Sequence, residues 1–250
     1  MPAQKAPSLS SQRKLKNVLW TIVVGLALLL SACSRPLNNP YPAEVKNQAV
    51  LYSSFAGRPK HLDPAVSYSS DEYALIGQIY EPPLQYHYLK RPYTLVPLTA
   101  DSMPEVVYFD ARGKRLGRDA PAETIAVSEY LISIQEGIFY QPHPALARKE
   151  DGTYRYHDLK SQALSKIDTL GDFSETGTRE VTAEDYIYQI KRLVHPNIHS
   201  PIAELMKHYI VGLEAFARDL DRLNAKNPVG FLDIKTLPLD GVAALDRYRY

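Results

Sequence analysis

A strand–loop–helix pattern over residues 49–81 constrains the fold of this chain more than any other segment. Residues 49–55 (AVLYSSF) favour a strand, and a polar loop containing residues 61–64 (HLDP) follows it. Ser69 and Glu72 then predict a capping box, in which the serine oxygen accepts a backbone N–H and the glutamate reaches back. A strand, a loop and a helix start together form a place where a ligand backbone can bind. An ordinary β–loop–α unit without a ligand is the alternative.

The helix predicted from this start carries negative charge at its beginning and an apolar stripe along one face. Asp71 and Glu72 lie at the positive end of the helix dipole, and Pro82 ends the helix because proline cannot continue it. Apolar residues at helical spacing are expected to share one buried face. The stripe consists of Tyr73, Ile76, Ile79 and Tyr80.

The N-terminus has the pattern of an export signal. A lysine- and arginine-rich leader precedes the almost wholly apolar residues 18–30, and small residues lead to Cys33. Residues 30–33 (LSAC) resemble the lipobox of bacterial lipoproteins. That resemblance implies a signal peptide over residues 1–32, lipidation of Cys33, and a periplasmic protein that the lipid anchors to a membrane. The alternative is an uncleaved signal anchor, because no charge interrupts residues 17–34.

Composition limits the partners that this chain can have. Cys33 is the single cysteine, so no disulfide framework can form. Twenty-nine basic residues face twenty-eight acidic ones, so no net field attracts nucleic acid, and no nucleic-acid partner is expected. Residues 33–48 contain three prolines and three asparagines, and they predict a flexible tether between the lipid and a folded body. We expect that body to be monomeric.

Beyond residue 81 the pattern predicts a mixture of strands and helices. Thr182, with Asp185 three residues later, is the clearest helix start in the chain. Two further helices are predicted over residues 202–209 and 213–224. Strand patterns cover residues 84–88, 93–100 (an edge strand or irregular crossing), 105–109, 125–134, 229–234 and 241–250. The predicted fold class is therefore α/β, in the sense of mixed α and β.

Three short motifs are spread over residues 62–193. The first motif joins residues 62–64 (LDP) with 79–81 (IYE). The second is residues 97–100 (PLTA), and the third joins residues 181–186 (VTAEDY) with 191–193 (KRL). In sequence and in order they resemble motifs of the extracellular solute-binding proteins of the oligopeptide and dipeptide class (family 5), which serve ABC importers. This resemblance implies a two-lobe fold of the type II periplasmic binding proteins, with an ABC permease and ATPase as partners.

The chain also departs from that family. Residues 135–140 (QEGIFY) match the corresponding passage only in part, and a long segment then precedes Thr182. Family members are considerably longer, so we expect an N-terminal fragment of a divergent branch. Residues 49–81 would open the first lobe, and residues 82–250 would form its small subdomain, incomplete at the C-terminus. Residues 34–250 alone are then expected to bind no peptide tightly.

The resemblance also implies how a ligand is held. Relatives bind an extended peptide between two lobes and pair with its backbone as an added strand does. Lobe closure shifts the population toward the state with more ligand contact. The contact loop of the first lobe corresponds to residues 65–70. The expected ligand contacts are Tyr68, Ser69 and Ser70, followed by Ser53, Ser54 and Phe55 at the end of the first predicted strand. Helix caps and turns are an equally good explanation of the serines.

Catalysis is not predicted, so we do not expect an enzyme. His195 and His199 are four residues apart, but Pro196 breaks the helix that would align their rings for a metal. No nucleophile elbow and no phosphate-binding loop is present, and neither a metal nor a cofactor is expected. The alternative to peptide import is an envelope lipoprotein that uses the same fold to bind a partner protein or cell-wall peptide.

Overall fold

The computed structural model describes residues 17–23, 49, 52–55, 57–226 and 232–250. The chain divides into two compact units, Met1–Ser54 and Phe55–Tyr250. Residues 17–23 are helical. Within the described part of the chain, no helix combines the length and the apolar character that a membrane crossing requires. Cys33 and the predicted tether over residues 33–48 lie outside the described residues.

The strand predicted over residues 49–55 is not formed by the residues described there. Residue 49 and residues 52–55 are irregular chain, and the side chains of Tyr52 and Phe55 are exposed. Strand propensity largely measures packing against neighbouring strands, and these side chains are not buried between layers. The strand prediction was therefore wrong for this part of the chain.

Helix α1 (Ser70–Ile76) begins where the sequence predicts and ends earlier. Ser69 is its N-cap, because its Oγ accepts the backbone N–H of Glu72 at 3.2 Å. Gly77 ends the helix, and its N–H donates to the carbonyl of Tyr73 at 2.8 Å. The helix thus stops before the predicted proline boundary.

The predicted apolar stripe of α1 is not a buried face. Ile76 is buried, whereas Tyr73 is exposed, and Ile79 and Tyr80 are exposed beyond the end of the helix. The second side chain that α1 buries is Glu72. The carboxylate takes the inward position because the preceding loop needs its oxygens, as described below.

The first sheet is a short antiparallel hairpin. Strand β1 (Leu84–Tyr86) pairs with β2 (Leu95–Pro97), with Leu84 opposite Pro97 and Tyr86 opposite Leu95. Proline has no N–H for a ladder and is tolerated at a sheet edge. The strand prediction for residues 84–88 and the edge prediction for residues 93–100 are confirmed over these shorter spans.

The second sheet pairs β3 (Glu105–Phe109) with β4 (Val127–Leu131), again antiparallel. A turn follows β3: it starts at Asp110, and Gly113 closes it with an N–H donated to the Asp110 carbonyl at 3.0 Å. Gly113 has a φ of 75°, which a side chain would disfavour. A loop with the 3-10 turn Ala122–Thr124 leads on to β4.

The chain stays extended past the end of β4 and pairs on both sides. Ile132 exchanges both backbone hydrogen bonds with Tyr250, at 2.8 and 3.1 Å. On the opposite side, Asp101 donates its N–H to the carbonyl of Ser133 at 2.8 Å. The extended prediction for residues 125–134 is therefore confirmed, whereas the prediction for residues 241–250 holds only near Arg249, which bridges to Ser133.

Residues 139–180 form an insertion with little regular structure. Bridges from Phe139 to Glu180 and from His143 to Gly177 bring its two ends together. A Cβ at Gly177 would lie 2.2 Å from the Leu146 carbonyl oxygen, so this approach requires glycine. The insertion contains helix α2 (Ser161–Leu164) and the 3-10 turns Pro144–Leu146 and Leu170–Asp172.

Three helices complete the second unit. Helix α3 (Ala183–Arg192) begins at the predicted start, where Thr182 and Asp185 form a capping box and the Asp185 carboxylate accepts the Thr182 N–H at 2.9 Å. Helices α4 (Ala203–Tyr209) and α5 (Leu213–Lys226) follow, as predicted. Residues 229–231 lie outside the described residues, and residues 232–234 are irregular rather than the predicted strand.

The main hydrophobic cluster lies around α5. Its apolar face packs against the end of α3 and against residues 232–242. The cluster explains why the sequence around α5 has such a strong helical stripe. Its buried members are Val194, Leu213, Phe216, Ala217, Leu220, Ile234 and Leu239. With these helices and two small antiparallel sheets, the described chain confirms the mixed α and β class.

Candidate ligand-binding loop

The predicted ligand loop, residues 65–70, is a compact turn that leads into α1. The backbone N–H groups of Val66 and Ser67 both donate to the carbonyl of Asp63, at 3.0 and 2.9 Å. The Asp63 side chain adds a third bond, since its Oδ1 accepts the Ala65 N–H at 3.0 Å. An aspartate that bonds the backbone two residues later is a common way to hold a turn. Asp63 therefore sets the beginning of the loop.

Glu72 holds the loop from its other end. Its side chain is only 5% exposed, and its Oε1 accepts the backbone N–H groups of Lys60 and His61, both at 2.9 Å. Its Oε2 accepts the Ser67 hydroxyl at 2.7 Å. These donors, the Ser67 hydroxyl first, lower the pKa of Glu72 from 4.5 to about 2. Glu72 is therefore an ionised brace for residues 60–67 at neutral pH.

This role corrects half of the predicted capping box. The Ser69 half is confirmed by the bond from the Glu72 N–H to the Ser69 Oγ. The Glu72 carboxylate, however, bonds to the loop at Lys60, His61 and Ser67. A buried carboxylate must satisfy its oxygens, and the loop offers several donors together. The spacing from Ser69 to Glu72 identifies the cap but gives no sign of the partner loop.

Asp63 also fixes the loop to helix α3. Arg192 Nη1 lies 3.0 Å from Asp63 Oδ1, and Arg192 Nη2 lies 2.5 Å from Oδ2. The Arg192 bonds are the largest cause of the lowered pKa of Asp63, and Asp63 in turn raises the pKa of Arg192. Two parallel charge-assisted bonds of this kind define orientation as well as distance. The loop is therefore positioned on α3.

The structure places the three first-rank candidates at the outer side of this braced loop. Tyr68 is 79% exposed, and Ser70, the first residue of α1, is also exposed. Ser69 is exposed as well, but its Oγ accepts the N–H of Glu72. Tyr68 thus offers a ring face and a hydroxyl on a fixed backbone, while Ser69 already has a structural role.

The second-rank candidates fall on either side of the chain position where the two units divide. Ser53 and Ser54 are exposed and belong to the unit Met1–Ser54, whereas Phe55 is exposed and begins the second unit. The loop and its braces lie wholly in the second unit. Tyr68, Ser69 and Ser70 thus lie together on one loop of the second unit, whereas Ser53 and Ser54 belong to the first unit.

A second polar contact joins α3 to the β1–β2 region. The Thr99 Oγ1 lies 2.6 Å from the Tyr186 hydroxyl, which donates to the Glu81 carbonyl at 3.1 Å. The Pro82 carbonyl lies 3.2 Å from Thr99 Oγ1, so the single hydroxyl proton of Thr99 is directed either to this oxygen or to the Tyr186 hydroxyl. Thr99 is buried, and burial is the main cause of the raised pKa of Tyr186. Hydrogen bonding thus satisfies the polar atoms that are buried here.

Sequence reasoning identified these segments but missed their contacts. Asp63, Thr99 and Tyr186 each belong to a predicted motif, yet nothing in a single sequence assigns Arg192 to Asp63 or Tyr186 to Thr99. A guanidinium at the end of one helix and an aspartate before another are common, so neither residue type points to a specific partner. Only the tertiary fold brings them within bonding distance.

The remaining surface offers grooves but no metal centre within the described residues. A groove of about 550 Å³ is lined by residues 133–136 and 246–249 together with Asp101. Another, of about 650 Å³, lies between residues 126–130 and residues 207–218. Neither groove is lined by Tyr68, Ser69 or Ser70. In the described part of the chain, no group of three His, Cys, Asp or Glu side chains is arranged to hold a metal ion.

No protein-family model matches the chain, and no curated protein sequence matches it.

Proposed function

We propose that this protein is the peptide-binding lipoprotein subunit of an ABC importer, anchored in the cell envelope through Cys33. It would capture peptides in the periplasm or at the cell surface and deliver them to an inner-membrane permease. The proposal starts from the three sequence motifs and from the lipobox-like residues 30–33. The geometry of the second unit supports it in two ways.

The observation that carries the proposal is the meeting of all three motifs on helix α3. Asp63, from the LDP motif, pairs with Arg192 of the KRL motif. Thr99, from the PLTA motif, bonds Tyr186 of the VTAEDY motif, which also bonds the Glu81 carbonyl of the IYE motif. The motifs, which share only a sequence resemblance to one family, therefore contact one another through α3. This convergence favours a common origin of the motifs over chance matches.

The second support is the rigidity of the loop that presents Tyr68. Its backbone is held by Asp63 at one end and by Glu72 at the other. Ordering a loop in advance lowers the entropic cost of binding. An exposed tyrosine on a fixed loop supplies a flat apolar surface and a hydrogen-bonding hydroxyl at little cost in side-chain freedom. These properties suit contact with peptides of varied sequence.

The second candidate function is an envelope lipoprotein that holds a partner protein or cell-wall peptide without import. The exposed apolar side chains next to the loop, Tyr73, Ile79 and Tyr80, favour this alternative. Grouped exposed apolar residues often mark a protein interface. The two functions predict different ligands for the same region, so a binding experiment separates them.

The experiment uses the full-length gene product in mild detergent and a library of peptides of mixed length and sequence. A peptide that binds only the folded state raises the melting temperature, and the stabilisation grows with the logarithm of its excess over Kd. We expect at least one class of peptide to raise it. The Tyr68→Ala variant should bind that peptide roughly tenfold more weakly, since exposed aromatic contacts of this kind contribute strongly to binding.

The matched control is Tyr209→Ala, which removes a tyrosine of similar exposure, 76%, from helix α4. This control should bind the peptide as the unchanged protein does. If no peptide alters the melting temperature, the import function is rejected. If a purified envelope protein binds instead, and Tyr73→Ala weakens that binding, the second candidate is supported.

A further inference from the structure

The β1–β2 hairpin ends in a tip whose shape is set by its own residues. The backbone N–H of His87 donates to the Thr94 carbonyl at 2.8 Å and closes the hairpin beyond the strands. The Nδ1 of His87 then accepts the N–H groups of Leu89 and Lys90, at 3.2 and 3.3 Å. These bonds order a turn that extends away from the paired strands. We call residues 86–93 the hairpin tip.

The hairpin tip exposes large apolar side chains to an unusual degree. Four of its eight residues are large apolar or aromatic side chains that are more than half exposed. The rings of Tyr86 and Tyr93 contact each other edge to face with centroids 5.7 Å apart, so these two form one surface. Leaving such a surface in water forgoes the gain from burying it. The exposed fractions are 65% for Tyr86, 88% for Tyr88, 77% for Leu89 and 71% for Tyr93.

The charge of the hairpin tip has one sign. Lys90 and Arg91 are both exposed, and residues 82–100 contain no aspartate or glutamate. The Arg91 guanidinium lies 4.5 Å from the centre of the Tyr93 ring. Within the described part of the chain, neither cation has a carboxylate at ion-pair distance. The hairpin tip therefore has unpaired positive charge that an anionic surface could neutralise.

We propose that the hairpin tip binds the headgroup region of an anionic lipid bilayer. Tyrosine is enriched at membrane–water interfaces, because its ring enters the apolar boundary while its hydroxyl stays hydrated. Leu89 supplies a purely apolar side chain at the end of the turn, and Lys90 and Arg91 contact lipid phosphates. Each such cation near an anionic membrane surface strengthens binding. This contact is separate from lipidation of Cys33 and gives the second unit a membrane-facing side of its own.

A lipid surface fits the hairpin tip better than an acidic protein does. A protein interface usually contains a polar rim of both signs around an apolar centre. Here both charged residues of the turn are cations, and they lie among three exposed tyrosines and one exposed leucine, a combination that suits a membrane interface. A projecting turn can insert into the lipid headgroup region, which has no fixed shape, so it needs no complementary cavity. Binding to an acidic protein is the alternative that the test distinguishes from binding to lipid.

The test places a fluorescent reporter at the hairpin tip of the full chain. Trp20 is the single tryptophan, so Trp20→Phe combined with Tyr88→Trp leaves one indole, at position 88. The protein is reconstituted with vesicles of phosphatidylcholine, or of phosphatidylcholine with phosphatidylglycerol, that carry brominated acyl chains. We expect a blue shift and bromine quenching in the anionic vesicles. The matched control, Trp20→Phe with Tyr209→Trp, should show neither.

Replacing both cations, Lys90→Gln with Arg91→Gln, tests the electrostatic part in the same background. The apparent insertion constant on anionic vesicles should fall roughly tenfold or more, since each cation contributes separately. The apolar N-terminal residues, with Trp20→Phe included, are the same in every variant, so their membrane affinity does not alter this comparison.

Three results would overturn the proposal. The first is an unchanged emission spectrum of the position-88 indole with anionic vesicles. The second is equal quenching of the indoles at positions 88 and 209. The third is a spectral change that needs an acidic protein, such as one purified from the envelope, and that lipid alone does not produce.

Discussion

Arg192 at the end of helix α3 forms a two-point ion pair with Asp63 at the start of the candidate loop, with N–O distances of 3.0 and 2.5 Å. Both side chains are partly buried, and Arg192 Nη1 also donates to the Gln189 Oε1 at 2.9 Å. The pair joins two residues that are 129 positions apart in the sequence. It therefore fixes the distance between the loop and the helical part of the second unit.

Breaking the Asp63–Arg192 pair should destabilise the protein, and the two changes should not be additive. Asp63→Asn and Arg192→Met each remove the charge pairing at nearly constant volume. We expect each single variant to lose about 1–2 kcal/mol of unfolding free energy, with a coupling energy of similar size in the double variant. Urea unfolding of the unchanged protein, the two single variants and the double variant gives this coupling energy.

The exposed pair between Arg218 and Glu214 on helix α5 serves as the control for that cycle. Its members are four residues apart and solvent-exposed, so their coupling should be only about 0.3–0.5 kcal/mol. Equal coupling energies for the two pairs would contradict the structural role of Asp63 and Arg192.

Glu72 should make the second unit less stable in acid. Its pKa in the folded protein is about 2, below its ordinary value of 4.5. The unfolded chain therefore takes up the proton first, and the stabilisation is complete above pH 4.5 and is lost as the pH falls from 4.5 toward 2. The Glu72→Gln variant should melt at a lower temperature near pH 6 and lose less further stability between pH 5 and pH 3.

Ser67→Ala provides a milder variant for the same measurement. It removes the hydroxyl that contributes most to lowering the pKa of Glu72. Its acid response should lie between those of the unchanged protein and Glu72→Gln. Thermal melts at stepped pH values are sufficient. Parallel pH profiles for all three proteins would show that Glu72 does not brace the loop.

Leu220 should be the more sensitive of two leucines on the same helix. Leu220 is fully buried in the cluster around α5, whereas Leu223 is 37% exposed. Truncation of a buried leucine leaves a cavity, so Leu220→Ala should cost about 2–5 kcal/mol. Leu223→Ala should cost about 1 kcal/mol, because less apolar area leaves solvent at that position. Denaturant midpoints compare the two, and a reversed order would contradict the orientation of α5.

Cys33 should be the sole site of lipid attachment. In cells that process lipoproteins, Cys33→Ala should leave an unprocessed precursor without incorporated fatty acid, since the thiol is the acceptor. Ser34→Ala changes the neighbouring hydroxyl and keeps the thiol, so it should label normally. Labelling with radioactive palmitate followed by gel mobility measures both effects. Normal labelling of Cys33→Ala would remove the lipoprotein part of the proposal.

Local sequence signals predicted much of the fold. The capping box of Thr182 and Asp185 predicted the start of α3, because side chains three residues apart satisfy the first free N–H groups. Helix α5 followed from the spacing of its apolar residues. Each of these signals acts within one helix or turn.

Features that depend on tertiary contacts were predicted poorly. The run AVLYSSF has high strand propensity, but its described residues are irregular because propensity does not supply a neighbouring strand. The apolar side chain of Tyr73 is exposed, while the carboxylate of Glu72 is buried beside it. Glu72 is buried because it accepts hydrogen bonds from the backbone N–H groups of Lys60 and His61 and from the Ser67 hydroxyl. The helical periodicity of the sequence does not predict these bonds. For the same reason the sequence predicted Tyr68 as a contact residue without indicating what holds its loop.

The two braces of the loop close chain segments of very different length, which has a consequence for the order of folding. Glu72 bonds to Lys60, 12 residues away, whereas Arg192 reaches Asp63 across 129 residues. The entropy lost on closing a segment rises with its length, and local contacts form faster than distant ones. We therefore expect the turn around Ser67 to assume its shape early, as an autonomous nucleus. Helix α3 would then dock onto a surface that already exists.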